Sequence, residues 1–203
     1  MAEKKYIEPV LRKRPSTLVG LGSVPAAIKA RADLEQLLRV HDPELVEEAR
    51  SRIKADQLPL VRRIALDPAE GEGMVVRKHA IALLASLGAN EDLNLLSELA
   101  RFDAEPAIRA EALTGLGRSG VAMAAGILVE AIASNDMVEA TAASKALAVL
   151  AQKAGIAAVR AQVEAGPARG KKRAAAVLEK AANPVEAKAA KRSVSRPDPK
   201  TQR

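Results

Sequence analysis

The sequence predicts an all-α chain, an α-solenoid of about five stacked antiparallel helix pairs. Three observations carry this. Roughly a fifth of the 203 residues are Ala, well above ordinary usage, and Tyr6 and Phe102 are the only aromatic residues. Similar segments recur every 30–34 residues, each period holding two apolar-periodic stretches. Gly, Asn and Asp-Pro punctuate those stretches where helix ends need them.

Ala is the best helix former because it loses no side-chain entropy and buries no polar group. Its small size also lets helices approach closely. The first fifteen residues carry many charges, Pro9 and Pro15, so residues 1–22 read as a loosely ordered basic arm. A helix then begins near Ser23 or Pro25, with Ile28, Ala30, Leu34, Leu37 and Leu38 at helical spacing, and stops near His41. Asp42-Pro43 starts a second helix, with Asp42 as cap and Glu44 and Glu47 in its positive first turn. It ends about Ala55.

From here the repeat is visible. VVRKHAIALLASLG (75–88), AIRAEALTGLG (107–117) and VEATAASKALAVLA (138–151) align with one another. Arg77 and Arg109 are 32 residues apart, as are Ala80 and Ala112, and Leu84 and Leu116; the next step, Leu116 to Leu150, is 34. Shorter apolar helices alternate with these: Leu60 to Leu66, Leu93 to Leu99, and Ile127 to Ile132. A helix pair of this size cannot bury its own apolar stripe, and stacking on neighbours does so. Gly88-Ala89-Asn90, Arg118-Ser119-Gly120 and Ala154-Gly155 end the second helices; Asp67-Pro68, Asp103 with Pro106, and Asn135-Asp136 separate the helices within pairs. A last pair runs from Gly155 to Ala165 and from Pro167 to Ala182, and Asn183-Pro184 stops it. The repeat domain therefore covers 23–183, clearest over 57–151, and 184–203 reads as a disordered basic tail.

The charge is divided. The net +7 comprises +3 in residues 1–15, −4 in 16–168 and +8 in 169–203. The repeat body is mildly acidic, and the polyanion-binding capacity belongs to the ends: Lys171, Lys172, Arg173, Lys191 and Arg192 are the candidate tail contacts.

The segments at 75–88 and 107–117, each with an acid near the helix start, then Val/Ile-Arg, a small residue and Leu, resemble the second helix of HEAT-like repeats of the bacterial phycobilisome-lyase type. Asp103, Ile108, Arg109, Ala112, Leu113, Leu116 and Gly117 fit that pattern, and Asp67, Val76, Arg77, Ala80, Ile81 and Leu84 fit it with a longer insert. The third copy departs, with Thr141 or Ala143 where Arg would stand. The resemblance covers about residues 57–182 and implies a right-handed solenoid. It implies that Arg77, Arg109, Asp103 and Asp136 form a structural ladder between repeats. A competing use of the same helices would line a concave face with Arg77, Lys78, Arg109 and Lys145, although Glu111 and Glu139 dilute that charge.

Enzymatic readings find little. There is no Cys, so thiolate nucleophiles, Cys-ligated metals and disulfides are excluded. His41 and His79 are the only histidines, in different repeats, with no His-Glu dipeptide such as HEAT-type iron hydroxylases repeat. Gly20-x-Gly22 lacks a third glycine and a preceding strand. With Tyr6 and Phe102 as the only aromatic residues, the chain is poorly supplied with faces for stacking bases. No catalytic residue, metal or cofactor is expected. The expected function is a non-catalytic scaffold for a protein partner. A nucleic-acid module using the basic ends, and a bilin lyase or lyase chaperone, are the alternatives. No signal peptide or membrane span is expected, and the expected location is cytoplasmic.

Overall fold

The computed structural model describes residues 24–39, 51–68, 72–87 and 90–182. The N-terminal arm, the helix start at Asp42-Pro43, the Gly88-Ala89 turn, Asn183-Pro184 and the basic tail lie outside the described residues. Among the described residues the chain is all-helical, with nine α-helices and no strand. They are α1 (Val24–Leu38), α2 (Leu58–Leu66), α3 (Glu72–Leu87), α4 (Asn90–Phe102), α5 (Pro106–Arg118), α6 (Ala125–Ile132), α7 (Met137–Ala154), α8 (Ile156–Ala165) and α9 (Lys171–Ala182). Single 3₁₀ turns, Ala55–Gln57 and Ala122–Ala124, lead into α2 and α6. Among the described residues no helix is long and apolar enough to cross a membrane.

The helix starts follow local chemistry. Asp136 caps α7, its Oδ1 accepting from the backbone N–H of Val138 at 2.7 Å and of Glu139 at 3.3 Å. Pro106 opens α5 at the first position, where its missing N–H costs nothing. Gly120 and Gly155 take φ of +74° and +88° after α5 and α7, as the turn residues predict. The last pair differs from the expectation that its second helix begins at Pro167. Gly170 has a φ of +97°, which no right-handed helix accommodates, so α9 starts at Lys171.

Alternate helices pack in series. α3 packs on α5, α5 on α7 and α7 on α9, while α2, α4, α6 and α8 each pack on the helix that follows. α4 also touches α6, and α6 touches α8. One apolar cluster runs from Leu34 of α1 to Leu178 of α9. Two columns repeat along it: Ala80, Ala112, Ala146 and Ala174, and four residues later Leu84, Leu116, Leu150 and Leu178, all buried. The small column brings backbones together, and α5 and α7 meet most closely at Gly117. A Cβ added there would lie 2.5 Å from the Ala146 carbonyl oxygen and 2.7 Å from its Cα.

Gly117→Ala is therefore expected to destabilise the protein by about 1–3 kcal/mol, because backbone and not a side-chain tip must give way. A Cβ at Gly126 meets nothing within 4 Å. Gly126→Ala is expected to be stabilising by about 0.5–1 kcal/mol through helix propensity. Urea midpoints of the two variants check this, and equal effects would show that α5 and α7 are not in backbone contact.

Candidate functional site

Arginines on one helix pair reach acids on the next. Arg77, 4% exposed, donates from Nε to the Ala65 carbonyl at 2.8 Å and from its two Nη atoms to the carboxylate of Asp103. The planar fork can serve both partners at once. One edge satisfies a carbonyl left orphaned near the end of α2, and the other grips a carboxylate bidentately. Arg109 repeats the device. Its Nη1 donates to the Asp103 carbonyl at 2.7 Å and the Ala104 carbonyl at 3.1 Å; its Nε pairs with Glu139, and Nη2 stands 3.7 Å from Asp136. Arg31 of α1 pairs with Glu35 at 2.7 Å and with Asp67 at 2.7 Å. The hydrogen bond it donates to Glu35 is the main reason the Arg31 guanidinium is held above its ordinary pKa, with Asp67 adding to it against partial burial.

A second row lies on the shorter helices. Arg62 bridges Asp92 at 2.6 Å and Glu91 at 3.0 Å, and its pKa is raised chiefly by the bond to Asp92. Asp92 is fully buried in the first turn of α4, where the helix dipole favours a negative charge; its Oδ2 has no hydrogen-bond partner among the described residues. Arg101 meets Glu130 at 3.0 Å in an exposed pair.

The register of these cations is informative. Arg77, Arg109, Ala143 and Lys171 each stand three residues before a member of the buried alanine column. Lys171 donates to the Glu164 carbonyl at the end of α8, as Arg77 does to α2. Ala143 cannot, and Arg173 from α9 donates instead to the Ile132 carbonyl at the end of α6, at 3.3 Å. The segment Gly166–Gly170, which corresponds to the acid-bearing turns at Asp67, Asp103 and Asp136, contains no acid. Arginine and acid are thus lost together where the ladder ends.

The residues singled out from sequence fall into different settings. Arg77 and Arg109 are engaged within the protein, with Asp103 and Asp136 beside them. Lys78 is half-buried and shares its register with Ala110, Ser144 and Lys172. Lys145 is exposed and shares its register with Glu111 and with His79, whose Nδ1 donates to the Leu38 carbonyl at 2.6 Å. Lys78 and Lys145 therefore do not form one row. Lys172 is exposed, and Lys191 and Arg192 lie outside the described residues. Arg31, Arg62, Arg101 and Glu139 are ladder members that the repeat pattern alone did not single out. A signal existed: Arg62 precedes Asp92 by 30 residues, Arg101 precedes Glu130 by 29, and Arg109 precedes Glu139 by 30.

Next to the ladder, the turns within pairs form an edge with two adjoining shallow grooves. One, of about 380 Å³, lies between Phe102, Ile127, Ala131 and the Arg101–Glu130 pair. The other, of about 770 Å³, is lined by Glu130, Ala133, Ser134, Asn135, Pro167 and Arg169. Glu130 and Ser134 belong to both. Phe102 is 79% exposed, and Met137 and Val138, at the start of α7, are 77% and 57% exposed. Among the described residues no three His, Cys, Asp or Glu side chains are grouped as a metal site. No family model and no curated protein matches the chain.

Asp103→Ala should strand the Arg77 charge in the interior and cost about 3–5 kcal/mol of stability, whereas Glu130→Ala should cost less than about 1 kcal/mol. The paired change Arg77→Met with Asp103→Leu should recover most of the first loss. Urea unfolding of the four proteins checks this, and an Asp103→Ala loss no larger than that of Glu130→Ala would contradict it.

Proposed function

We propose that the chain is a HEAT-like helical-repeat module, a right-handed α-solenoid that holds a protein partner and performs no chemistry itself. The serial packing of α3, α5, α7 and α9, each backed by the helix before it, supports the solenoid reading, as does the recurring Arg-to-acid ladder. One observation carries the binding reading. Phe102, Met137 and Val138 are large apolar side chains left in water on one edge, beside grooves that span successive pairs. In a chain with one Phe and no Trp, leaving that Phe 79% exposed forgoes core stabilisation that an aromatic normally supplies. The ladder arginines contribute architecture, and the edge contributes the contact.

A second reading, contact with nucleic acid, is favoured by the net +8 of residues 169–203 and by the exposure of Arg169, Lys172 and Lys180. Both readings are tested by quantitative co-purification with the full chain and with Phe102→Ser/Met137→Ser/Val138→Ser, each with and without nuclease. Loss of a co-purifying protein by roughly tenfold or more in the triple variant is the expected result, since a few apolar anchors carry most of an interface. Recovery unchanged by the triple variant, or abolished by nuclease, would overturn the protein-binding reading of this edge.

A further inference from the structure

We infer that the solvent side of α9 is a contact surface for the sugar–phosphate backbone of duplex DNA, used without regard to base sequence. This rests on the nucleic-acid reading and names its surface and its ligand. Over residues 169–182 the chain carries five cations, Arg169, Lys171, Lys172, Arg173 and Lys180, against Glu179 alone. The fold gathers four of them. Ala174 and Leu178 are buried and mark the inner side of the helix. At 3.6 residues per turn, Lys172, Arg173 and Lys180 fall on the opposite side around Ala176, and Arg169 adjoins them at the turn before the helix. All five of these residues are exposed, and among the described residues Arg169, Lys172 and Lys180 form no ion pair. Arg173 is held in place by its bond to the Ile132 carbonyl while remaining exposed.

The chemistry of this face selects its ligand. A protein interface is built around an apolar centre, and the only apolar side chains exposed on α9 are Ala176 and Ala182. A helix lying on a lipid surface needs its apolar side free, whereas Ala174 and Leu178 belong to the core. Single-strand sites stack bases on aromatic rings, and α9 and the turn before it have none. Residues 166–182 also lack Ser, Thr, Asn and Gln, which pair with adenine or contact either base. Arg and Lys remain, and these position a duplex through its phosphates. The span fits such a contact. Lys172 and Lys180 lie about 12 Å apart along the axis, and each strand of a duplex rises about 3.4 Å per phosphate, so the stripe faces about three or four phosphates.

The test measures binding of the full-length chain to a labelled DNA duplex of about 20 base pairs, at salt between about 50 and 200 mM. Affinity should fall steeply with salt. Lys172→Gln/Lys180→Gln should reduce the slope of log K against log salt by about 1.8, and the further changes Arg169→Gln and Arg173→Gln should bring the reduction to about 3.6. Circular dichroism melts should confirm that the variants remain folded, and the double variant leaves the Arg173 bond to Ile132 intact. A duplex of unrelated sequence should bind within about threefold, and the single strand and phosphatidylserine vesicles at least about fivefold more weakly. Lys188→Gln/Lys191→Gln/Arg192→Gln/Arg196→Gln separates this face from the rest of the basic region. If those changes abolish binding while the α9 variants leave the slope unchanged, the nucleic-acid reading stands and the α9 surface falls. If the unaltered chain fails to bind the duplex at about 50 mM salt, both fall. Tighter binding to the single strand or to the vesicles overturns the duplex assignment.

Discussion

Arg77 is buried with its charge, and the positions of its neighbours follow from what that charge requires. A guanidinium taken out of water must regain hydrogen bonds, and Arg77 makes three, one to a carbonyl near the end of α2 and two to the carboxylate of Asp103. Those partners belong to different helix pairs. Satisfying one arginine therefore fixes the offset between a pair and its successor. Arg109 fixes the next offset in the same way, through the Asp103 turn and Glu139. Apolar burial drives the helices together without direction. The forks add direction, selecting one register among the several that a smooth Ala- and Leu-rich surface permits.

The small-residue column makes those distances reachable. Ala80, Ala112, Ala146 and Ala174 let successive long helices approach until backbone meets side chain, and at Gly117 the α7 backbone itself fills the space where a Cβ would lie. A larger residue at Ala80, Ala112 or Ala146 would push apart the helices that bring Asp103 and Glu139 to their arginines. Packing and electrostatics are thus coupled through geometry. Ala143 illustrates this: standing in the arginine register, it is fully buried and leaves no charge to satisfy.

Much of this was legible in the sequence, because periodicity reports burial. The 32- and 34-residue spacing of Ala80, Leu84 and their successors marks residues that the structure buries, and the helix ends at Gly120, Asp136 and Gly155 follow from turn and cap chemistry. Partner choice was less legible. Asp103 could have been a simple cap; instead its Oδ1 accepts from the Glu105 N–H while both oxygens face Arg77. Such sharing depends on the rotation of one helix pair about another, which apolar spacing does not encode. Lys78 and Lys145 look alike in composition, but they stand two residues and one residue before the alanine column, in different registers.

The edge grooves are the least legible feature, and they are a consequence of the ladder. Asp103 is drawn inward by Arg77, so the residue before it, Phe102, is turned out at the end of α4. Asp136 turns back to cap α7, and Met137 and Val138, the first residues of that helix, are left exposed. One pair later the acid is missing, and Gly170 with its φ of +97° takes the chain tightly past the Val129 carbonyl. With no acid in that turn and no arginine at Ala143, nothing in the ladder claims Arg169, which is left exposed on the groove wall. The ladder's regular part thus leaves apolar side chains exposed on this edge, and its termination leaves an exposed cation. An insertion or deletion in the Gly166–Gly170 turn would shift Arg169 while leaving the Arg77 and Arg109 forks untouched, because among the described residues those forks have no partner beyond Glu139.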